Sequence, residues 1–385
     1  MPLCSHGRLE IESDGEIKHI NITRVHLEED TAKLYRLEDT VAGGMKVDFN
    51  RAGVPLLEIV SEPDLRSVED VRAYATTLHD ILVYLGINSG DMEKGVMRFE
   101  ANVSVRPKGS DTLETRVEIK NLNSFRALTR SVAYEIQRQI EARRTGTAVI
   151  QQTMGWDEAE ERTYPQRSKE YAHDYRYFPE PDIPPVNIAP AWIAEIQTQV
   201  PELPMAKRRR LVAEYDIRPY DAELLVGSSA IANYFEETAR MGVDIQISPQ
   251  DIANWITGEL FRLLNEANAD IRSTKVTPEH LVALLFLLQK GTINTTAAKR
   301  VLAEIFTTGE IPNRVVRRLK LSQISEEDVL CTIIDSVIEA NPTQVAQYQN
   351  GKTSVLGWFV GQVMRASNGK ANPQQARKLL QRTLE

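Results

Sequence analysis

The apolar residues change their spacing at Pro190, and that change limits the folds open to the chain. Before it, short stretches alternate apolar and polar side chains, as strands with one buried face do; after it, apolar residues recur at helical spacing behind a succession of cap residues. Phe99, Ala101, Val103 and Val105 alternate with Glu100, Asn102, Ser104 and Arg106, the most regular strand pattern present. Leu9-Glu10-Ile11, a Ser13-Asp14-Gly15 turn and a second strand through Ile20 and Ile22 predict a hairpin. The apolar phase then moves to Val25 and Leu27, which predicts a bulge near Thr23 or Arg24. Two helices are expected in this half, over 67–86 behind a Ser67/Asp70 capping pattern and from Ser124 to Gly146. Downstream, helix starts are marked at Ser248-Pro249, Thr277-Pro278, Ser325, Asn341-Pro342 and Asn372-Pro373. Strands first and helices later make the class α+β. The expected domains are 1–190, 191–310 and 311–385, with the second boundary at the break Gly309-Glu310-Ile311-Pro312.

Between Asp48 and Asp64 the stretch DFNRAGVPLLEIVSEPD gathers acid, amide and guanidinium groups beside a short apolar strand. Glu58 alternates with Leu57 and Ile59 and so projects from the opposite face; Gly53 and Pro55 turn the chain before this strand and Pro63 stops it. His26, Glu28, Glu29 and Asp30 crowd the end of the hairpin's second strand, a set that suits a hard cation, and the pattern does not choose between Glu28 and Glu29. The strands at 99–105 and 116–121 share one mixed-charge face, with Arg116, Glu118 and Lys120 on the second. Amides, hydroxyl, carboxylates and cations together are what phosphate and metal recognition need. The run YPQRSKEYAHDYRYFPEPDIPP reads equally as a stiff connector or as a preordered loop in which Asp174, Arg176 and Glu180 line a cleft beneath Tyr175 and Tyr177.

A chain of 385 residues can bury two or three cores. Its longest strongly apolar run, Leu281 to Leu288, is too short to span a bilayer, and its first residues have no signal-peptide or transit-peptide character, so the cytoplasm is the expected compartment. Cys4 and Cys331 stand alone, which excludes a disulfide framework and a cysteine metal site. The net charge of -8 argues against a surface that coats nucleic acid throughout. Its distribution is uneven, however: residues 311–385 carry ten Lys or Arg against six Asp or Glu. Lys352, Arg365, Lys370, Arg377, Lys378 and Arg382 thereby form a local candidate for binding a polyanion.

Seven segments carry a resemblance: VHLEED at 25–30, FNRAGVPLLEIVSEPD at 49–64, MRFEANVSVRP at 97–107, EIKNLNSF at 118–125, HDYRYFPEPDIPP at 173–185, TPEHL at 277–281 and ANPQQARKLL at 371–380. In this order, and over essentially the whole chain, they resemble the B subunit of the aspartyl/glutamyl-tRNA(Asn/Gln) amidotransferases. The resemblance implies an antiparallel-sheet cradle, akin to glutamine synthetase and guanidino kinases, followed by an all-helical domain and a small helical tail domain that grips tRNA. It implies ATP-dependent phosphorylation of the side-chain carboxylate of misacylated Glu-tRNA or Asp-tRNA, then amidation by ammonia. The implied partners are the glutaminase or A subunit, which releases that ammonia from glutamine, and the C subunit, which helps hold the heterotrimer together. Mg2+ and ATP are the implied cofactor and co-substrate.

On the family's motifs the metal ligands fall on Glu29 and Glu58. Arg98 and Lys120 join them as catalytic candidates, and Arg24, Arg51, Asn102 and Arg176 as candidates for binding the nucleotide. The six tail cations are the candidates for tRNA. The likeness enters the family's first domain part-way, because Met1 is followed at once by PLCSHGRLEI and the family's Glu-x-His strand, a source of further metal ligands, has no counterpart. The expectation is a truncated frame or fragment, with a non-catalytic tRNA-binding and assembly role as the alternative reading.

Overall fold

Asp14 and Gly15, at φ of 54° and 76°, close a two-residue turn between strands β1 (Cys4–Ser13) and β2 (Glu16–Glu29). Glycine takes this left-handed geometry at little cost and aspartate tolerates it, which is why the hairpin turns here. The structure, a computed structural model, describes residues 2–36, 44–168, 184, 187–322, 327–367 and 369–384. The chain separates into two compact units, Met1–Pro201 and Glu202–Glu385. The division thus falls after the expected boundary at 190.

In the first unit β2 also pairs antiparallel with a later strand. A second, short hairpin of β3 (Lys33–Arg36) and β4 (Met45–Asp48) intervenes, and then β5 (Pro55–Ser61) returns to complete the order β1-β2-β5. The β2–β5 register shifts between Ile22 and Arg24, so the expected bulge is present at Thr23. Ile11, Ile20 and Ile22 on one face of this sheet bury against Ala73 and Tyr74 of helix α1 (Val68–Tyr84). Ser67 caps that helix by accepting the Asp70 amide at 3.0 Å. Asp70 is itself buried, and its Oδ1 accepts from Ser13 at 2.6 Å and from Lys18 at 2.7 Å, tying the helix start to the first hairpin.

A second sheet has the order β6-β7-β8-β9, from β6 (Phe99–Val103), β7 (Val117–Leu122), β8 (Gln152–Asp157) and β9 (Arg162–Ser168). Helix α2 (Phe125–Arg144) connects β7 to β8, and those two strands run parallel. The sheet is therefore mixed where an antiparallel one is expected, because a strand reached by a helical crossover lies parallel to the one before it. Val103, Ile119, Leu122 and Trp156 bury one face of it against Ala75 of α1 and Leu128 and Val132 of α2. Glu135 of α2 is fully buried and satisfied by Arg138, Gln139 and Thr163. With one face committed to the helices, the other carries the polar residues. Helix α3 (Pro190–Gln199) closes the unit and buries no residue.

Among the described residues of the second unit every regular element is helical. Seven helices and three short irregular turns, from α4 (Pro204–Tyr215) through α5 (Pro219–Leu225), α6 (Ser229–Gly242), α7 (Pro249–Trp255), α8 (Phe261–Ala267), α9 (Pro278–Gln289) and α10 (Thr295–Thr308), build one apolar cluster. Thr277 and His280 form a reciprocal cap at the start of α9, and Gly309, at φ 74°, ends α10. The next helix, α11 (Pro312–Arg318), packs Val315 and Val316 into the same cluster. The break at Gly309–Pro312 is a turn between two helices that share this cluster. A separate cluster begins at Leu330 and is built by α12 (Glu327–Glu339), α13 (Pro342–Gln349), α14 (Val355–Ala366) and α15 (Pro373–Leu384). The fold is α+β. Among the described residues no helix is long and apolar enough to cross a membrane.

Candidate active site

The bulge at Thr23 decides which side chains meet at the far end of the first sheet. Beyond it His26 lies directly opposite Glu58, Glu28 opposite Leu56, and Arg24 opposite Val60. Residues two apart on a strand share a face, so Arg24, His26, Glu28 and Glu58 stand together while Val25, Leu27, Leu57 and Ile59 face the other way. The ligand atoms of His26, Glu28 and Glu58 all lie within 4.8 Å of one another. His26 Nδ1 is 3.4 Å from Glu58 Oε2, and Arg24 Nη2 is 3.9 Å from the same oxygen.

Glu29 does not join this cluster. It pairs with Pro55 and, by strand alternation, projects from the face opposite Glu58. Its neighbour Glu28 shares the face of Glu58. Of the expected metal pair, Glu58 belongs to this cluster and Glu29 stands on the other face, while His26 and Glu28 lie with Glu58 in a group whose ligand atoms could hold a metal ion.

Asp30, one residue past the strand, organises two of the expected cations. Its Oδ2 accepts from Arg51 Nε at 2.8 Å and lies 3.5 Å from Arg98 Nη2. Its backbone is equally committed, since its N–H donates to the Val54 carbonyl and its carbonyl accepts from Gly53, both at 2.9 Å. Arg51 and Arg98 thus come together, through a carboxylate that sequence reasoning counts only as a possible metal ligand.

Lys120 and Asn102 sit on the polar face of the second sheet. Lys120 Nζ donates to Glu100 at 3.0 Å and lies 3.6 Å from Glu118. Partial burial pulls the Lys120 pKa down, but the hydrogen bond and charge of Glu100, with those of Glu118, outweigh it and hold the lysine above its ordinary 10.5. Lys120 is a fixed cation and not a base at neutral pH. Asn102 is register-paired with Glu118, and both line a small hollow with Arg116, Gln151 and Gln152. Glu118 also accepts from Thr153 Oγ1 at 2.8 Å. Sequence reasoning passes over β8, although Thr153 and Gly155 alternate with Met154 and Trp156 in a strand-like period. Arg176, with Asp174, Tyr175, Tyr177 and Glu180, lies outside the described residues.

The tail cations occupy the last core's surface. Lys352, Arg365, Arg377, Lys378 and Arg382 are exposed, and Lys370 is half-buried. Arg377, Lys378 and Arg382 share α15, whose Ala376, Leu380 and Leu384 face inward.

Comparison with known proteins covers both units. Residues 1–194 match the family model described as "GatB/GatE catalytic domain", and residues 233–384 match the one described as "GatB domain". The chain is 46% identical over 385 residues to the aspartyl/glutamyl-tRNA(Asn/Gln) amidotransferase B subunit of Roseiflexus castenholzii, covering 100% of this chain and 79% of that protein. The proteins of the same name from Herpetosiphon aurantiacus and a Thermoanaerobacter species are each 47% identical, with the same coverage. Likeness of this extent, through both units, shows that the chain belongs to the family of aspartyl/glutamyl-tRNA(Asn/Gln) amidotransferase B subunits.

Proposed function

We propose that this chain supplies the kinase-like site of a tRNA-dependent amidotransferase. ATP phosphorylates the side-chain carboxylate of misacylated Glu-tRNA(Gln) or Asp-tRNA(Asn), and ammonia then displaces phosphate to give Gln-tRNA(Gln) or Asn-tRNA(Asn). The observation that carries this reading is the His26, Glu28 and Glu58 cluster beside Arg24. In the first step a carboxylate oxygen attacks the γ-phosphorus and ADP leaves with the bridging oxygen. In the second, ammonia adds to the carbonyl carbon, phosphate departs with the electron pair, and a proton is lost from nitrogen. Two anions must approach each other in the first step, so the site needs positive charge held in place.

The donor set fits a divalent cation. Magnesium takes one or two carboxylates and completes its shell with water and substrate phosphates, and Glu28 and Glu58 provide two. His26, close to the Glu58 carboxylate, suits magnesium less as a ligand and better as the group that fixes that carboxylate's rotamer. A bound cation would neutralise phosphate charge and orient the transfer. Arg24 and Arg98 are the residues we assign to phosphate oxygens, and Lys120 and Asn102, on the second sheet's polar face, to the remainder of the nucleotide or the acyl group.

Membership of the B-subunit family carries the assembly into the proposal: the glutaminase (A) and C subunits and misacylated tRNA are the partners, and the cytoplasm is the compartment. The test is reconstitution with those two partner proteins and misacylated tRNA. ATP cleavage that depends on both magnesium and the misacylated tRNA, with amide formed in step, is the expected result. Amide formation that proceeds without ATP would overturn the reading.

A further inference from the structure

Three separated stretches of the first unit converge on one carboxylate. Asp30 follows β2, Arg51 belongs to the turn before β5, and Arg98 immediately precedes β6. Arg51 does more than pair with Asp30: its Nη1 donates to the Gly95 carbonyl at 2.8 Å, so one planar guanidinium spans the end of the first sheet and the loop that feeds the second. Gly95 accommodates this approach. Its φ is 66°, and a Cβ there would stand 3.2 Å from Arg51 Nη1. The same loop is fixed at its other side by Asp91, which accepts the Lys94 amide at 3.0 Å.

Resting on the proposed phosphoryl-transfer reading, we infer that Arg51 and Asp30 are positioning residues that fix Arg98 at the end of β2, where Asp30 follows Glu28 by two residues. Sequence motifs assign Arg51 to nucleotide phosphate, but its Nε and Nη1 are already engaged by a carboxylate and a carbonyl. Arg98 differs in its contacts and little in exposure: to the shared oxygen it makes only the longer one, 3.5 Å. Asp30 holds Arg98 by one edge, and Arg51 holds both Asp30 and the chain three residues before Arg98. Fixing a side chain and its backbone together is what preorganises a cation for a developing charge. A fork-shaped guanidinium can make both contacts at once; an ammonium on a flexible stem cannot hold the two directions in one plane.

The test uses the full chain with three variants, Arg51→Lys, Arg98→Lys and the double variant, and Arg72→Ala on the exposed surface of α1 as control. Two quantities are measured: amide hydrogen exchange over residues 94–98, and MgATP affinity by calorimetry. In Arg51→Lys the amides of 94–98 should exchange at least about tenfold faster, and MgATP should bind about three- to tenfold more weakly. Because Arg51 acts through Arg98, adding Arg51→Lys to Arg98→Lys should weaken MgATP binding no further, a non-additivity that general loss of stability does not produce. Unchanged exchange over 94–98, or fully additive affinity losses, would overturn the inference. A wild-type chain that binds no MgATP while Arg51→Lys loosens the loop would instead count against the phosphoryl-transfer reading, and would leave Arg51 confirmed as the strut of that loop.

Discussion

His26 and Glu58 face each other across β2 and β5, in register, with Nδ1 3.4 Å from Oε2. The pairing exists because Thr23 bulges. Without the extra residue the strand beyond it would be out of phase, and the whole polar set would turn to the other face. Glu28 therefore shares the face of Glu58, and Glu29 does not. Glu28→Gln and Glu58→Gln are expected to weaken magnesium-dependent ATP cleavage by more than about tenfold, whereas Glu29→Gln retains most of it. Kinetics at several magnesium concentrations separate the three. Loss in Glu29→Gln with full activity in Glu28→Gln would return the ligand role to Glu29.

Asp70 makes the first hairpin depend on pH. Burial pushes its carboxyl up, but hydrogen bonds from Lys18, Ser13 and the Arg66 amide prevail and bring it from an ordinary 3.8 down to about 2. A depressed carboxylate contributes its full stability above the unfolded value and loses it as pH falls through the folded one. The first unit should therefore weaken between about pH 4 and about pH 2. Its partner Lys18, raised above 10.5 mainly by the hydrogen bond to Asp70, adds a loss at the alkaline end. Asp70→Asn keeps the shape and removes the charge; it should cost about 1–3 kcal/mol at neutral pH and flatten the acid limb of a melting-temperature profile. An unchanged acid limb would show that other carboxylates control it.

The polar face of the second sheet owes its shape to Gly155. A Cβ at this position would stand 2.5 Å from the Tyr164 ring and 2.6 Å from Gln166 Nε2. Tyr164 lies opposite it on β9 and accepts the Gln166 amide at 3.3 Å. Gly155→Val should lift the ring off the sheet and cost about 1–3 kcal/mol by overpacking. Urea denaturation gives the stability, and MgATP affinity shows whether the face beside Lys120 has changed. A variant as stable as the wild type would mean that Tyr164, 40% exposed, swings aside without strain.

Much of this fold is legible in the chain because the signals are local. The phase shift from Ile20 and Ile22 to Val25 and Leu27 marks the bulge, and Ser67 with Asp70 marks the first helix. The phase sets His26 and Glu28 on the face opposite Val25 and Leu27, but it does not say which of Glu28 and Glu29 binds a cation. The family motif draws attention to Glu29, whereas the strand register groups Glu28 with Glu58. The β8–β9 pair is harder to see, since Thr153 to Trp156 is buried on both faces and Gly155 interrupts the polar positions. Asp30 and Arg98 stand 68 residues apart, and no local pattern encodes their meeting. Packing alone brings them together.

The tail offers the last test. Lys352, Arg365, Lys370, Arg377, Lys378 and Arg382 lie at the surface of a small core that begins at Leu330 and is distinct from the cluster holding α11. If these cations meet tRNA phosphates, they add binding energy but no reacting group, so removing residues 327–385 should raise the KM for misacylated tRNA and leave ATP binding intact. Cutting there, and not at 311, keeps Val315 and Val316 in the preceding core and removes from it only the hydrogen bond that Asn294 donates to the Gly369 carbonyl among the side-chain bonds described. Charge reversal gives a finer measure. Each cation that neutralises a phosphate contributes about 0.7 to 0.9 to the slope of log affinity against log salt. Lys378→Glu with Arg382→Glu on α15 should therefore lower that slope by about 1.5 and weaken binding at low salt most of all. Equal slopes and equal affinities for wild type and variant would leave the basic residues as a solvated face and place tRNA recognition elsewhere on the chain.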